Sequence, residues 1–120
     1  MGSSDTYDLE ERTFEFAKRL LKFLDNLPQN TINFKLVDQC TRSGTSIGAN
    51  YREANETDTQ KGFLYRARIC RKEAKETIYW LRLIDEFNDT IDSDELHFFL
   101  QESEEFVKIF STIINKTKSE

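Results

Sequence analysis

TDTQKGFLYRARICRKEAKETIYWLRLIDEFNDT, residues 57–90, carries the pattern that decides the fold class. Within it Phe63, Ala67, Cys70, Ala74, Thr77, Leu81 and Ile84 recur at alternating steps of four and three. That alternation draws one apolar stripe along a helix, the seam of helices packed side by side at shallow angles. Thr57-Asp58-Thr59-Gln60 reads as a capping box that starts the helix, and Asn88-Asp89-Thr90 makes the turn after it.

The flanking segments repeat the pattern. Upstream, Val37, Cys40, Gly44, Ile47, Tyr51 and Ala54 keep the same alternation. Before them Phe16, Leu20, Phe23 and Leu27 mark a first helix, its stripe widened by Phe14, Ala17, Leu21 and Leu24. Pro28 and Asn30 end it, because proline cannot donate to the ladder and clashes with the preceding turn. Downstream, Asp92 with Glu95 caps a fourth helix whose seam runs Leu96, Leu100, Ser103, Val107, Phe110 and Ile114. Ser103, the polar member, is expected to bond the carbonyl one turn back. The expected fold is all-α: an antiparallel up-down-up-down four-helix bundle filling a single domain over residues 8–117. Residues 1–7 are expected to be a flexible leader. Met1-Gly2-Ser3-Ser4-Asp5-Thr6 fits the myristoylation pattern, but no basic cluster follows it as a second membrane signal.

Composition agrees. The 120 residues suffice for one core, and one Pro with four Gly exclude collagen-like or turn-dense architectures. No apolar run approaches the ~20 residues of a membrane span, so a soluble protein with no membrane partner is expected, and two cysteines on the seams suit a reducing cytoplasm. The net charge of −5 argues against a globally basic nucleic-acid binder. Its distribution is uneven: residues 56–87 carry 7 basic and 6 acidic side chains, residues 88–120 only 3 basic against 8 acidic. Any anion-binding surface is therefore local.

Three features lie off the seams. On helix three Tyr65, Ile69, Tyr79, Trp80 and Leu83 gather on the side away from the core stripe. Scattered surface aromatics are common, yet five on one face point to a subunit interface. On helix two Gly44 and Gly48, with Ser43, Thr45, Ser46 and Ala49, leave a stretch almost free of bulk, so a neighbour is expected to come very close. Arg42, Ser46, Ala49 and Glu53 form a mostly polar stripe that Lys72, Glu73 and Glu76 could meet. Paired polar groups there would fix register, with a catalytic pair the lesser reading. Helix three also bears Arg68, Arg71, Lys72, Lys75 and Arg82. Such a row can track phosphates; on charge alone a solvated face pairing with Glu73 or Glu76 is the expectation.

Catalytic chemistry is not legible. His97 is the one histidine and has no Glu three residues before it, so the di-metal bundle site cannot be built, and no metal or cofactor is expected. There is no glycine-framed nucleophile, P-loop or dinucleotide fingerprint. Cys40 and Cys70 fall on seams, where cysteine acts as a small buried hydrophobe.

Arg42-Ser43-Gly44-Thr45-Ser46-Ile47-Gly48-Ala49-Asn50-Tyr51-Arg52-Glu53-Ala54 resembles the signature of the bacterial four-helix bundle proteins, also called 23S rRNA intervening-sequence proteins. Lys72-Glu73-Ala74-Lys75-Glu76-Thr77 followed by Tyr79-Trp80-Leu81 is similar to the second hallmark, and Gln39 before Arg42 fits as well. The likeness runs from about Phe14 to Phe87 and more loosely beyond. It implies a homopentamer without enzymatic activity. A related branch is the accessory variability determinant of diversity-generating retroelements, a basic pentamer that works with a reverse transcriptase and nucleic acid. This chain departs from that branch in being acidic. Two functions follow as expectations: an accessory factor acting on RNA or a ribonucleoprotein through helix three, or a pentameric scaffold that binds a protein through the acidic fourth helix and Phe98.

Overall fold

The computed structural model describes residues 3–119, with side chains described from residue 8. Four helices follow one another: α1 (Ser3–Asp25), α2 (Thr31–Asn55), α3 (Gln60–Phe87) and α4 (Ser93–Lys118). No strand occurs among the described residues. The four pack into a compact helical bundle measuring 47 × 22 × 19 Å. α1 starts at Ser3, inside the stretch expected as a leader; Met1 and Gly2 lie outside the described residues.

Side-chain oxygens cap three helix starts. Asn30 accepts from the Asn33 amide at 2.9 Å, and Asp92 accepts from that of Glu95 at 3.1 Å. The expected capping box at Thr57 is displaced. Thr59 is the cap of α3, accepting from Gly62 N at 3.0 Å, while Thr57 Oγ1 donates back to the Ala54 carbonyl at 2.8 Å. Gly62 stands where a box needs Glu or Gln, so no reciprocal bond forms.

The seams meet in the core. Cys40, Ile47, Tyr51, Ala67, Cys70, Ala74, Leu81, Ile84, Leu96, Phe110 and Ile114 are all buried. Phe99 and Phe106, which lie beside the fourth seam, are also fully buried and set edge-on against Phe16, with centroids 5.7 and 5.2 Å away. Contact partners run in opposite numerical order along neighbouring helices. Thr13 meets Gly48 while Glu10 bonds Asn55; Arg42 bonds Glu73 while Asn50 bonds Arg66.

Three expectations are corrected. Phe14 and Leu21 do not join the core: they are 50% and 41% exposed, because α2 opposes them with the small Thr45, Gly48 and Ala49 across an open groove. Ser103 is buried, but its hydroxyl finds no partner. Phe98 is half-buried, covered by the Arg19 guanidinium 3.7 Å from its ring centre.

α1 and α4 approach each other least of the neighbouring pairs. Their seam is bridged by Arg12, which donates to both Glu102 oxygens at 2.7 Å, and by Arg19 on Glu95. At the far end of the bundle Asn33 and Asn88 exchange amide hydrogen bonds at 2.8 and 3.0 Å. The pair is buried and clasps the start of α2 to the end of α3.

Candidate functional site

The signature residues of α2 and α3 meet along one polar seam. Arg42 Nη1 donates to Glu73 Oε2 at 3.1 Å, and its other nitrogen pairs with Glu76. Gln39 Oε1 accepts from the same guanidinium at 3.3 Å, and Trp80 Nε1 donates to Glu76 Oε2 at 3.0 Å. Further along, Ser46 Oγ donates to the Arg42 carbonyl at 2.6 Å, Asn50 Nδ2 to the Ser46 carbonyl, and Arg66 Nη1 to Asn50 Oδ1, both at 2.9 Å. Deeper, Thr77 Oγ1 lies 2.8 Å from Ser43 Oγ. Glu53 and Lys72 are exposed and stand outside this network. One guanidinium thus holds two carboxylates, with Glu73 Oε1 buried and without a donor. These contacts fix the register of α2 on α3, the role that buried polar groups fill best. Sequence reasoning missed Arg66, whose partner lies sixteen residues away on another helix.

Within the bulk-free stretch of α2, Gly44, Thr45, Gly48 and Ala49 face α1, while Ser43 turns to α3. A Cβ on Gly44 would overlap Leu20 Cδ2. One on Gly48 would stand 2.8 Å from Thr13 Oγ1 and 3.1 Å from Thr13 Cβ, closer than ordinary contact. The neighbour expected from sequence is therefore Leu20 and Thr13.

The outward side of α3 has a different chemistry. Lys61, Tyr65, Arg68, Lys72, Lys75, Tyr79 and Arg82 succeed one another at steps of four and three, opposite the core seam, and every one is exposed. The row contains no carboxylate. The two acids between Lys61 and Arg82, Glu73 and Glu76, lie toward α2 and are held by Arg42. Elsewhere Arg12, Lys18, Arg19, Arg42 and Arg52 are ion-paired, while the unpaired Lys22, Lys35, Lys108, Lys116 and Lys118 lie apart from this row. Among the described residues no ion pair reaches Lys61, Arg68, Lys72, Lys75 or Arg82. The pairing of this row with Glu73 or Glu76 is thus absent, because both acids turn toward α2, where Arg42 holds them. Arg71 leaves the row: it is half-buried, and its Nη1 donates to Ser111 Oγ at 3.4 Å. Lys61 joins it, a member that the four-three spacing could have revealed.

The five apolar candidates spread over two strips. Tyr65 and Tyr79 stand within the cation row, 62% and 55% exposed, with Leu83 at its edge. Ile69 and Trp80 are half-buried toward α2, and Trp80 packs against the core with the Tyr79 ring edge-on to it at 5.0 Å.

Burial pushes both Cys40 and Cys70 up to about 12, so neither thiol is a nucleophile near neutrality. No group of His, Cys, Asp and Glu with metal-site geometry occurs among the described residues, and His97 is exposed. Among the described residues no helix is long and apolar enough to cross a membrane.

A family model described as 23S rRNA-intervening sequence protein matches residues 6–112, which spans both signature segments. The chain belongs to the 23S rRNA-intervening sequence protein family. The matched range holds both the polar α2–α3 seam and the cation row of α3. A crystal structure is similar in fold and sequence: a protein with unknown function from the S23 ribosomal protein family of Bacteroides thetaiotaomicron. The two share 36% identity with a TM-score of 0.76, over 88% of this chain and 96% of that one. No curated protein matches the chain.

Proposed function

We propose that this member of the intervening-sequence family is a non-enzymatic, homo-oligomeric accessory protein of the cytoplasm that contacts RNA or a ribonucleoprotein through the outward row of α3. One observation carries the reading. In a chain of net charge −5, five cations align on one helix face with no carboxylate among them and no ion pair. Unpaired cations in a row are the electrostatic footprint of a polyanion contact, and a local row suffices where the whole protein is acidic. The opposed order of contacts along neighbouring helices supports an antiparallel, up-down-up-down course that leaves this row on the outside.

Self-association, as a pentamer on the family resemblance, is supported by large apolar side chains outside the row. Leu83 and Phe87 of α3 are 37% and 49% exposed, and Ile32 near the start of α2 is 45% exposed. Contacts through these would leave the cations free for RNA. The engagement of Glu73 and Glu76 by Arg42, together with two thiols kept protonated by burial, supports the absence of catalysis.

The test joins two measurements. Light scattering at micromolar concentration is expected to give a mass several times 14.2 kDa, and Leu83→Glu is expected to lower it. Structured RNA is expected to bind at low salt and to be lost in Arg68→Glu/Lys75→Glu without a change in thermal stability. A monomer removes the assembly half of the proposal. Loss of stability in the double variant, with unchanged RNA binding, removes the other half.

A further inference from the structure

The cation row also holds two aromatic rings, and charge alone does not account for them. Tyr65 and Tyr79 are among the most exposed large side chains of the protein, yet their neighbours along the row are cations rather than apolar groups. Between the two rings, in strict register, lie Arg68, Lys72 and Lys75. Fourteen residues at about 1.5 Å each put the rings about 20 Å apart along the helix. That distance is a stretch of a few nucleotides of extended single strand, with one cation at nearly every turn between.

We infer that Tyr65, Arg68, Lys72, Lys75 and Tyr79 form a track for single-stranded RNA, with bases stacked on the two tyrosines and phosphates against the three cations. This rests on the nucleic-acid reading above and names the class of nucleic acid. A duplex hides its base faces, and the deep, narrow major groove of A-form RNA does not admit a helix, so exposed rings gain nothing from it. A single strand offers free base faces, and aromatic stacking beside neutralised phosphate is the usual means of holding one without sequence preference. A protein surface is the weaker occupant, because five unpaired cations around the rings would have to be desolvated against it. The half-buried Trp80 behind Tyr79 holds that ring edge-on, which limits its freedom before a base arrives. Being exposed, both tyrosines can be changed without opening the core.

Fluorescence anisotropy of the full chain with labelled oligouridine of about twelve nucleotides, and with an RNA duplex of matching length, tests the inference. Tyr65→Ala/Tyr79→Ala is expected to weaken oligouridine binding about tenfold or more, while duplex binding and the salt slope for oligouridine stay as in the parent. Tyr65→Phe/Tyr79→Phe, which keeps the rings, is expected to restore the parent affinity. An alanine variant that binds oligouridine like the parent overturns the stacking track but leaves the phosphate contact standing, as does equal loss for both RNAs. A parent protein that binds neither RNA at low salt overturns the nucleic-acid reading itself, and the track with it.

Discussion

Gly44 and Gly48 decide how near α1 comes to α2. Each costs about 1 kcal/mol of helix propensity relative to alanine, and the cost is offset because Leu20 and Thr13 fill the space a side chain would need. Gly44→Leu is therefore expected to destabilise by about 2 kcal/mol despite its better propensity, since Leu20 is fully buried and has nowhere to move. A denaturant midpoint at or above that of the parent would mean that α1 yields. Ser103 shows the converse case. Its hydroxyl is buried without a partner, so Ser103→Ala is expected to raise the melting temperature, removing a desolvation cost of about 1 kcal/mol. The thiols give a pH dependence. Burial lifts Cys40 and Cys70 from 9.0 to about 12, so the folded chain keeps protons that the unfolded chain releases. Their contribution is whole below pH 9 and is lost as pH rises from about 9 toward 12. Urea midpoints across that range should fall more steeply for the parent than for Cys40→Ala/Cys70→Ala; parallel curves would show that the thiols ionise freely when folded.

At the scale of the element, α2 and α3 are one unit and α1 is the looser partner. The α2–α3 seam has the Arg42 network, the Ser43–Thr77 contact and the Asn33–Asn88 clasp. The α1–α4 seam depends on Arg12–Glu102 and Arg19–Glu95, with an open groove of about 430 Å³ lined by Leu9, Ile109 and Ile113 near its end. Partly exposed ion pairs weaken under screening, whereas buried amide pairs do not. Raising the salt to about 0.5 M is expected to speed hydrogen exchange of α1 amides while those of α2 and α3 stay protected. Uniform protection would show that packing, not charge, holds α1.

Here the sequence is legible and also reaches its limit. All four seams could be read because burial follows helical period, and the bulk-free stretch of α2 announced a close neighbour. Phe99 and Phe106 were missed because a single four-three row describes a narrower stripe than the core of a bundle helix buries. Phe14 and Leu21 misled for the complementary reason: apolar spacing does not reveal that the opposing helix carries only small residues there. Of the candidate site, the cations of α3 were visible, but their freedom was not. It depends on Arg42 reaching both Glu73 and Glu76 from another helix, a three-dimensional fact with no local signal.

At the scale of the whole molecule the organising fact is where the charges are spent. Twenty-two acids outnumber seventeen bases, and the ion pairs that form gather on α1, α2 and their partners. Among the described residues, α3 keeps a full row of cations turned outward without an ion pair. An acidic protein with such a row repels polyanions at long range and holds them only by close contact, so binding should be weak, local and strongly screened. The most direct test is the affinity for single-stranded RNA as a function of salt, for the parent and for Arg68→Glu/Lys75→Glu. The account predicts a straight fall of log K with log salt at a slope of about −2 to −4 for the parent, flattened by at least about 1 in the double variant, with affinity lost across sequences. No binding by the parent at low salt, or a slope and affinity that the double variant shares, would contradict it.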